Sequence, residues 1–357
     1  MTDPQATPID PNLAPADDDR GAYTPPGWEK RLGWYYLPIF LIAIGILVWL
    51  PVNAKAYTVT LTLTILLVIS LSSSWNWLSG YGGYTSFGTA GFFGIGSYTA
   101  ALLIHHRETH WMLAVLAAGA MCFVVGVVVG IPTLRLRGPY FAIAMLAFAE
   151  LARVIVLSWP DLTLGGKGVF LRKPRIQRPE DGMSFFEDFQ RILHNNQNYY
   201  AMLLLAIVAI TWSYVLGTSR WGLKLLAIRD DEVAAQAMGI KTTWVKVSTF
   251  AGSAIFPGIA GAIYARHVGY IDPITVFGII WSIRAITTTI FGGRGTILGP
   301  IIGAVVLTLV SEKVWEQDPN LYQIVYGGII ILVVLFMPGG LISLLQGRNI
   351  IPRSRRV

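Results

Sequence analysis

Asp230, Asp231 and Glu232 stand in a row at the head of a short run that closes at Gly239, inside the polar segment 221–247, WGLKLLAIRDDEVAAQAMGIKTTWVKV. Carboxylates at such a place have a definite use. The first amides of a helix lack internal acceptors, so Asp230 and Asp231 can cap a helix start, and Glu232 adds negative charge where the helix dipole is positive. Gly239 falls where a left-handed C-terminal cap is expected. The segment therefore predicts one short, closed helix. It lies between two long apolar runs and is flanked by Lys224, Arg229, Lys241 and Lys246, which places it on the cytoplasmic face by the basic bias of inner loops. The chemistry it offers is docking against a cytosolic partner.

Other charges sit inside apolar runs. Glu150 and Arg153 are three apart and can meet on one helix face, while Arg284 lies ten residues into a different run with no acid nearby in sequence. Isolated charges in lipid are costly and normally pair or face water. Two readings stay open: Arg284 pairs with Glu150 and fixes helix register, or Arg284 faces a pathway and attracts a substrate carboxylate. His105, His106, His110 and His267 lie near outer span ends, as interfacial histidines do, and predict no metal site. The chain carries 37 glycines. Gly126 with Gly130, and Gly299 with Gly303, have the four-residue spacing that lets helices pack closely in lipid. The run 80–96, with Gly83, Gly88 and Gly91, is too rich in glycine for a plain helix and is the best candidate for unwound backbone lining a translocation path. No G-x-x-x-x-G-K-[ST] loop, H-E-x-x-H or G-x-S-x-G elbow is present, so neither catalysis nor a cofactor is expected of this chain.

The elements that hold these residues are membrane spans. Of 357 residues, 54% are hydrophobic and 13% charged, against about 25% charged in a soluble domain. The net charge of +7 is spread over short loops and tails, which argues for a topology signal and against nucleic-acid binding. Cys122 is the sole cysteine, so no intrachain disulfide forms. Residues 1–33 read as a disordered cytoplasmic tail and not as a cleavable signal. Apolar runs at 34–52, 57–78, 84–104, 111–132, 139–158, 200–216, 248–268, 274–291, 296–315 and 321–337 are long enough to cross the hydrocarbon, which predicts an all-α polytopic membrane helix bundle of about ten transmembrane helices over residues 34–345. The basic tail 346–357, with Arg348, Arg353, Arg355 and Arg356, puts the C-terminus inside, and alternation then makes both termini cytoplasmic. Loop 159–198 falls outside. The polar loop 218–247 falls inside, as do the turns carrying Arg135 and Arg294. A faint internal echo links GGYTSFGTAGF, from Gly82, with GGRGTILGPII, from Gly292.

Several separated motifs add a resemblance: LSGYGGYTSFGTAGFFGIGSYTAALL from Leu78, LRGPYFAIAMLAFAE from Leu136, LTLGGKGV from Leu162, AIRDDEVAAQAMGIKTTWVKV from Ala227, AGSAIFPGIAGAIYA from Ala251 and FGGRGTILGP from Phe291. In order and spacing they resemble the M-type permease subunit of bacterial branched-chain (hydrophobic) amino acid ABC importers, over residues 71–345. The resemblance implies that the segment with Arg229, Asp230, Asp231 and Glu232 is similar to the coupling helix that seats on an ATPase. Ala234, Ala235 and Gly239 match the A-A-x-x-x-G core of that pattern. Val233 stands where the wider consensus has Glu, with Glu232 one place earlier. Arg284 departs from the aliphatic or acidic residue expected there, which leaves the substrate open between branched-chain and related amino acids, while the coupling loop differs from that of urea permeases. The implied partners are a second homologous permease, two cytoplasmic ATPase subunits and a periplasmic substrate-binding protein, with membrane lipid around the spans. The implied activity is ATP-driven import across the bacterial inner membrane by alternating access. An ion-coupled secondary transporter is the alternative, although it would more often bury a proton-carrying acid or histidine chain and would not need the capped cytosolic helix. A membrane-embedded enzyme would need a clustered acid, base or metal set, and the sequence holds none.

Overall fold

The computed structural model describes residues 27–136, 138–171, 191–317, 327–328 and 340–342. The basic tail, residues 1–26, residues 172–190 of loop 159–198 and all but two residues of the apolar run 321–337 lie outside them. The chain divides into two units, 1–50 and 51–357. Helix α1 (Gly27–Asn53) carries the described part of the first. It starts ahead of the apolar run at Trp34.

In the second unit almost every described element is helical. Hydrocarbon offers no partner for a backbone N–H or C=O, so an apolar run must bond within itself. The long helices are α2 (Ala56–Asn76), α3 (Thr89–Arg107), α4 (Trp111–Thr133), α5 (Pro139–Ser158), α7 (Gln197–Thr218), α10 (Thr242–Val268), α12 (Ile280–Gly292) and α13 (Leu298–Gln317). Short pieces join them: α6 (Pro160–Thr163), α8 (Arg220–Asp230), α9 (Glu232–Ala237) and α11 (Pro273–Val276). Among the described residues six helical stretches are long and apolar enough to cross a membrane: 56–81, 111–133, 139–158, 197–218, 242–268 and 273–292. Helix α3, diluted by glycine, serine and threonine, and α13, with Glu312 and Lys313, fall outside that set. Two short strands, β1 (Val169–Phe170) and β2 (Tyr270–Ile271), pair antiparallel with Val169 opposite Ile271. They fasten loop 159–198 to the end of α10.

Helix α10 is the hub. Lipid tails are as apolar as leucine, so helices in a membrane gain by close van der Waals packing and not by escaping solvent, and small residues permit it. A Cβ at Gly96 would run into the backbone of Gly258, one at Gly261 into the Phe93 carbonyl, and one at Gly258 into Cys122. Helices α3 and α4 thus meet α10 almost backbone to backbone. Gly126 and Gly130 face Ala251 and Phe250 at 2.9 Å from an added Cβ, so the GVVVG spacing serves this packing. Around it Leu78, Phe92, Cys122, Phe141, Met145 and Phe250 form a buried cluster. The opposite faces of α4 and α5 expose Leu113, Val128, Ile143 and Ile155, outside the chain's own packing.

Candidate coupling and translocation site

The polar segment is two helices and not the single one its capping residues predict. Ser219 caps α8, its hydroxyl accepting from the amides of Trp221 and Gly222 at 3.2 and 3.4 Å. Leu225 and Ile228 bury one face of α8 against the bundle. Asp230 is its last residue and caps nothing, because its position is still helical; the chain turns extended only at Asp231. Asp231 is the N-cap of α9, its Oδ1 accepting from Val233 and Ala234 at 2.8 and 3.1 Å. Gly239, at φ +81°, closes the helix: its amide donates to Gln236 and that of Ile240 donates to Ala235, the double bond of a Schellman turn. Between the caps Ala235 is buried, while Val233, Ala234 and Met238 are exposed, Met238 at 84%. Trp244 lies exposed just beyond.

The other side of this segment is locked inward. The Glu232 carboxylate takes the Lys246 ammonium at 2.6 Å on Oε1 and the Tyr84 hydroxyl at 2.7 Å on Oε2. Lys246 also donates to the Tyr84 oxygen at 3.0 Å and to the Leu134 carbonyl at 3.1 Å, so all three ammonium protons have acceptors. Its side chain is 5% exposed. Arg229, placed by sequence on the docking face, instead sends Nη1 to the Gly80 carbonyl at 3.0 Å, and its stem lies 2.9 Å from where a Cβ at Gly83 would stand.

Gly80 belongs to a π-helical turn, Trp77–Tyr81, that ends α2, and the backbone stays unwound from there to α3. Side chains satisfy this irregular stretch, as buried backbone requires. The Trp75 indole donates to Ser86 O at 2.7 Å, Ser79 to Tyr84 O at 2.8 Å, and Ser282 to Phe87 O at 2.6 Å while accepting from the Ala90 amide. Asn76, fully buried, bridges to the second glycine-rich turn: Nδ2 donates to Thr296 O at 2.9 Å and Oδ1 accepts from Gly295 N at 2.8 Å. The π-helical turn that precedes the first echo segment therefore touches the second, with Gly80 leaving room for the clamp. Of the three path glycines, Gly83 lies beside α8, whereas Gly88 and Gly91 receive Met145 and Phe148 of α5. A cavity of about 20 Å³ lined by Ser74, Ser79, Ser86, Thr89 and Ser253 opens beside the unwound stretch. That is room for roughly one water.

Glu150 is held by Arg153 on its own helix, with a hydrogen bond from Arg153 Nε at 3.0 Å. Proximity on one helix face outcompetes a partner across the bundle, and the Glu150 carboxylate is spoken for by Arg153 and not by Arg284. Arg284 lies over Trp281, 5.5 Å from the ring, in an aromatic group where Trp281 stacks on Phe93 at 4.3 Å and meets Tyr264 edge-on at 5.1 Å. Sequence reasoning missed Tyr84, Asn76, Ser282 and Arg266. Arg266 is buried at the C-terminal end of α10, donating to Asn198 and Gln197 at 2.7 Å each and lying 4.2 Å over Trp111. Each acts through residues distant in sequence, so no local spacing announces them.

Residues 56–334 match the family described as branched-chain amino acid transport system / permease component. The chain belongs to this family. It is 29% identical over 321 residues to the high-affinity branched-chain amino acid transport system permease protein LivM of Escherichia coli K12, covering 86% of this chain and 75% of that one. The same identity holds over 282 residues with LivM of Salmonella typhimurium LT2, covering 75% of this chain and 66% of the relative. The fructose import permease protein FrcC of Rhizobium meliloti is 29% identical over 158 residues, 43% of this chain and 44% of its own. No solved structure matches the chain. The protein is thus a multi-pass inner-membrane permease subunit of ABC importer type, and its family members are transport subunits, not enzymes.

Proposed function

We propose that this permease moves branched-chain or related amino acids inward across the bacterial inner membrane, driven by two ATPase subunits that dock on the 230–239 segment. The observation that carries the reading is the two-sided character of α9. Its caps make it a rigid plug, its outer side presents Val233, Ala234 and Met238, and its inner side is bonded into the bundle through Glu232. A surface so built can receive a push and pass it on. Asp231 and Gly239 hold the plug, Ala235 seats it, and Arg229 ties the end of α8 to the Gly80 carbonyl. The names of the LivM relatives favour a branched-chain substrate. Arg284, on its aromatic bed, is our choice for a group that meets the substrate carboxylate, with Gly83 and Gly88 on the unwound stretch and Gly91 in the first turn of α3, helical and not unwound as the glycine count predicts, as the proposed wall of the path.

The remaining partners follow from the same reading. A periplasmic binding protein delivers substrate, and a second homologous permease completes the pathway. The Glu150–Arg153 pair supports the latter: it lies exposed midway along α5, where lipid would be an expensive neighbour. About ten spans with both termini cytoplasmic, the tail 1–33 and the basic end 346–357 complete the layout. The test is uptake by the reconstituted complex with its co-purified ATPases. Mutating the phosphate-binding lysine of those ATPases should abolish uptake, and a ligand screen on the binding protein should identify the substrate. Uptake that survives that mutation and collapses with an ionophore would establish an ion-coupled transporter instead.

A further inference from the structure

Glu232, Lys246 and Tyr84 form a closed ring of three hydrogen bonds that no sequence motif announces. Glu232 is on the docking helix, Lys246 on the first turns of α10, and Tyr84 on the unwound stretch before α3. The ring also reaches Leu134 O at the end of α4, and the Tyr84 ring meets Phe141 of α5 edge-on at 5.6 Å. Five elements thus converge on one buried charge pair. An apolar trio would fill the same space without the cost of desolvating two ions, so holding the elements together does not by itself call for charge. What charge adds is direction: each bond of the ring tolerates little change of length or angle, so displacement of α9 is carried to Tyr84 rather than absorbed by sliding.

We propose that this ring is the linkage by which movement of the docking helix is transmitted to the unwound stretch 82–88, with Tyr84 as the positioning residue that completes it. The inference rests on the docking role of α9 argued above. In that role, a push on Val233 and Met238 moves Glu232, which pulls Lys246 and Tyr84 as a unit. Tyr84 shifts the backbone that Trp75, Ser79 and Ser282 hold in place, and with it the start of α3. The ring stays formed while the stretch moves, since its bonds involve the charged groups of Glu232 and Lys246 whereas those to Ser79 and Trp75 are neutral.

The test uses the complete importer in proteoliposomes, measuring uptake and ATP hydrolysis in the same sample. Tyr84→Phe keeps the aromatic packing on Phe141 and the Glu232–Lys246 pair but removes both bonds through the hydroxyl. Glu232→Gln keeps the shape and an acceptor but removes the charge. The complex should assemble and hydrolyse ATP in both variants, while substrate moved per ATP should fall about tenfold, the scale of losing one charged hydrogen bond. The double variant should lose little more than the worse single, as members of one linkage do. An unchanged ratio of uptake to hydrolysis would overturn the linkage, and so would uptake and hydrolysis falling in proportion, which is the signature of mere destabilisation or lost docking. Failure of the parent reading is separately visible: a wild-type complex whose uptake ignores hydrolysis defeats the docking role and takes this inference with it.

Discussion

Gly239 sits at φ +81° with open space where a Cβ would go, so the only objection to a side chain there is the backbone conformation itself. Asparagine tolerates the left-handed region and β-branched residues do not, which separates two substitutions that a crowding argument would treat alike. Gly239→Asn should support near-normal transport. Gly239→Val should strain the closing turn by about 1–2 kcal/mol, leaving a permease that inserts and purifies but fails to stimulate its ATPases in proteoliposomes. Equal coupling in both variants would remove the Schellman closure from the mechanism. Asp231 offers a parallel case at the other end of α9: Asp231→Ala should cost about 1 kcal/mol and Asp231→Asn much less, read from melting of the detergent-solubilised protein. Both roles were legible in the sequence because a cap is decided within four residues. Asp230 shows the limit of that logic, since two adjacent aspartates satisfy the same pattern and only the path of α8 selects between them.

At the scale of helices the glycines sort into those that are needed and those that are not. Gly96 faces the backbone of Gly258, and Gly96→Val should force α3 away from α10, costing about 1–3 kcal/mol by the scale of overpacked cores. Gly252, one helical face away on α10, has nothing within 4 Å of an added Cβ, so Gly252→Ala should be neutral or stabilise by up to about 1 kcal/mol. Yield of monodisperse protein and melting temperature would check the pair. The charged residues make a second comparison. Because Glu150 bonds to Arg153, a double-mutant cycle of Glu150→Leu with Arg153→Leu should show coupling, and one of Glu150→Leu with Arg284→Leu should be additive in melting temperature. Uptake should fall with Arg284→Leu in either background. Coupling between Glu150 and Arg284 would restore the interhelical pair that the sequence allowed.

For the molecule as a whole, two exposed positions report the sidedness that the basic loops predict. Phe170, on the strand pair, is 72% exposed and Met238 is 84% exposed, while the native Cys122 is buried against Gly258 and should not react. Cysteines introduced singly at Phe170 and Met238 should label from the periplasm and the cytoplasm respectively with a membrane-impermeant reagent. Labelling of both from one face would overturn the inside-out alternation. By itself the sequence determined that the chain is a helical membrane protein, where nearly all its described spans lie, and that a capped polar helix interrupts them. Those properties follow from runs of apolar residues and from caps, and each is settled over a turn or a bilayer thickness of contiguous chain. Only the tertiary structure decided which charges meet. Glu232 and Lys246 lie 14 residues apart, Tyr84 lies 148 from Glu232, and Asn76 lies 219 from Gly295. Their pairing depends on how glycine faces let α3, α4 and α10 close on one another, and close approach of backbones leaves no periodic mark on the residues that it brings together.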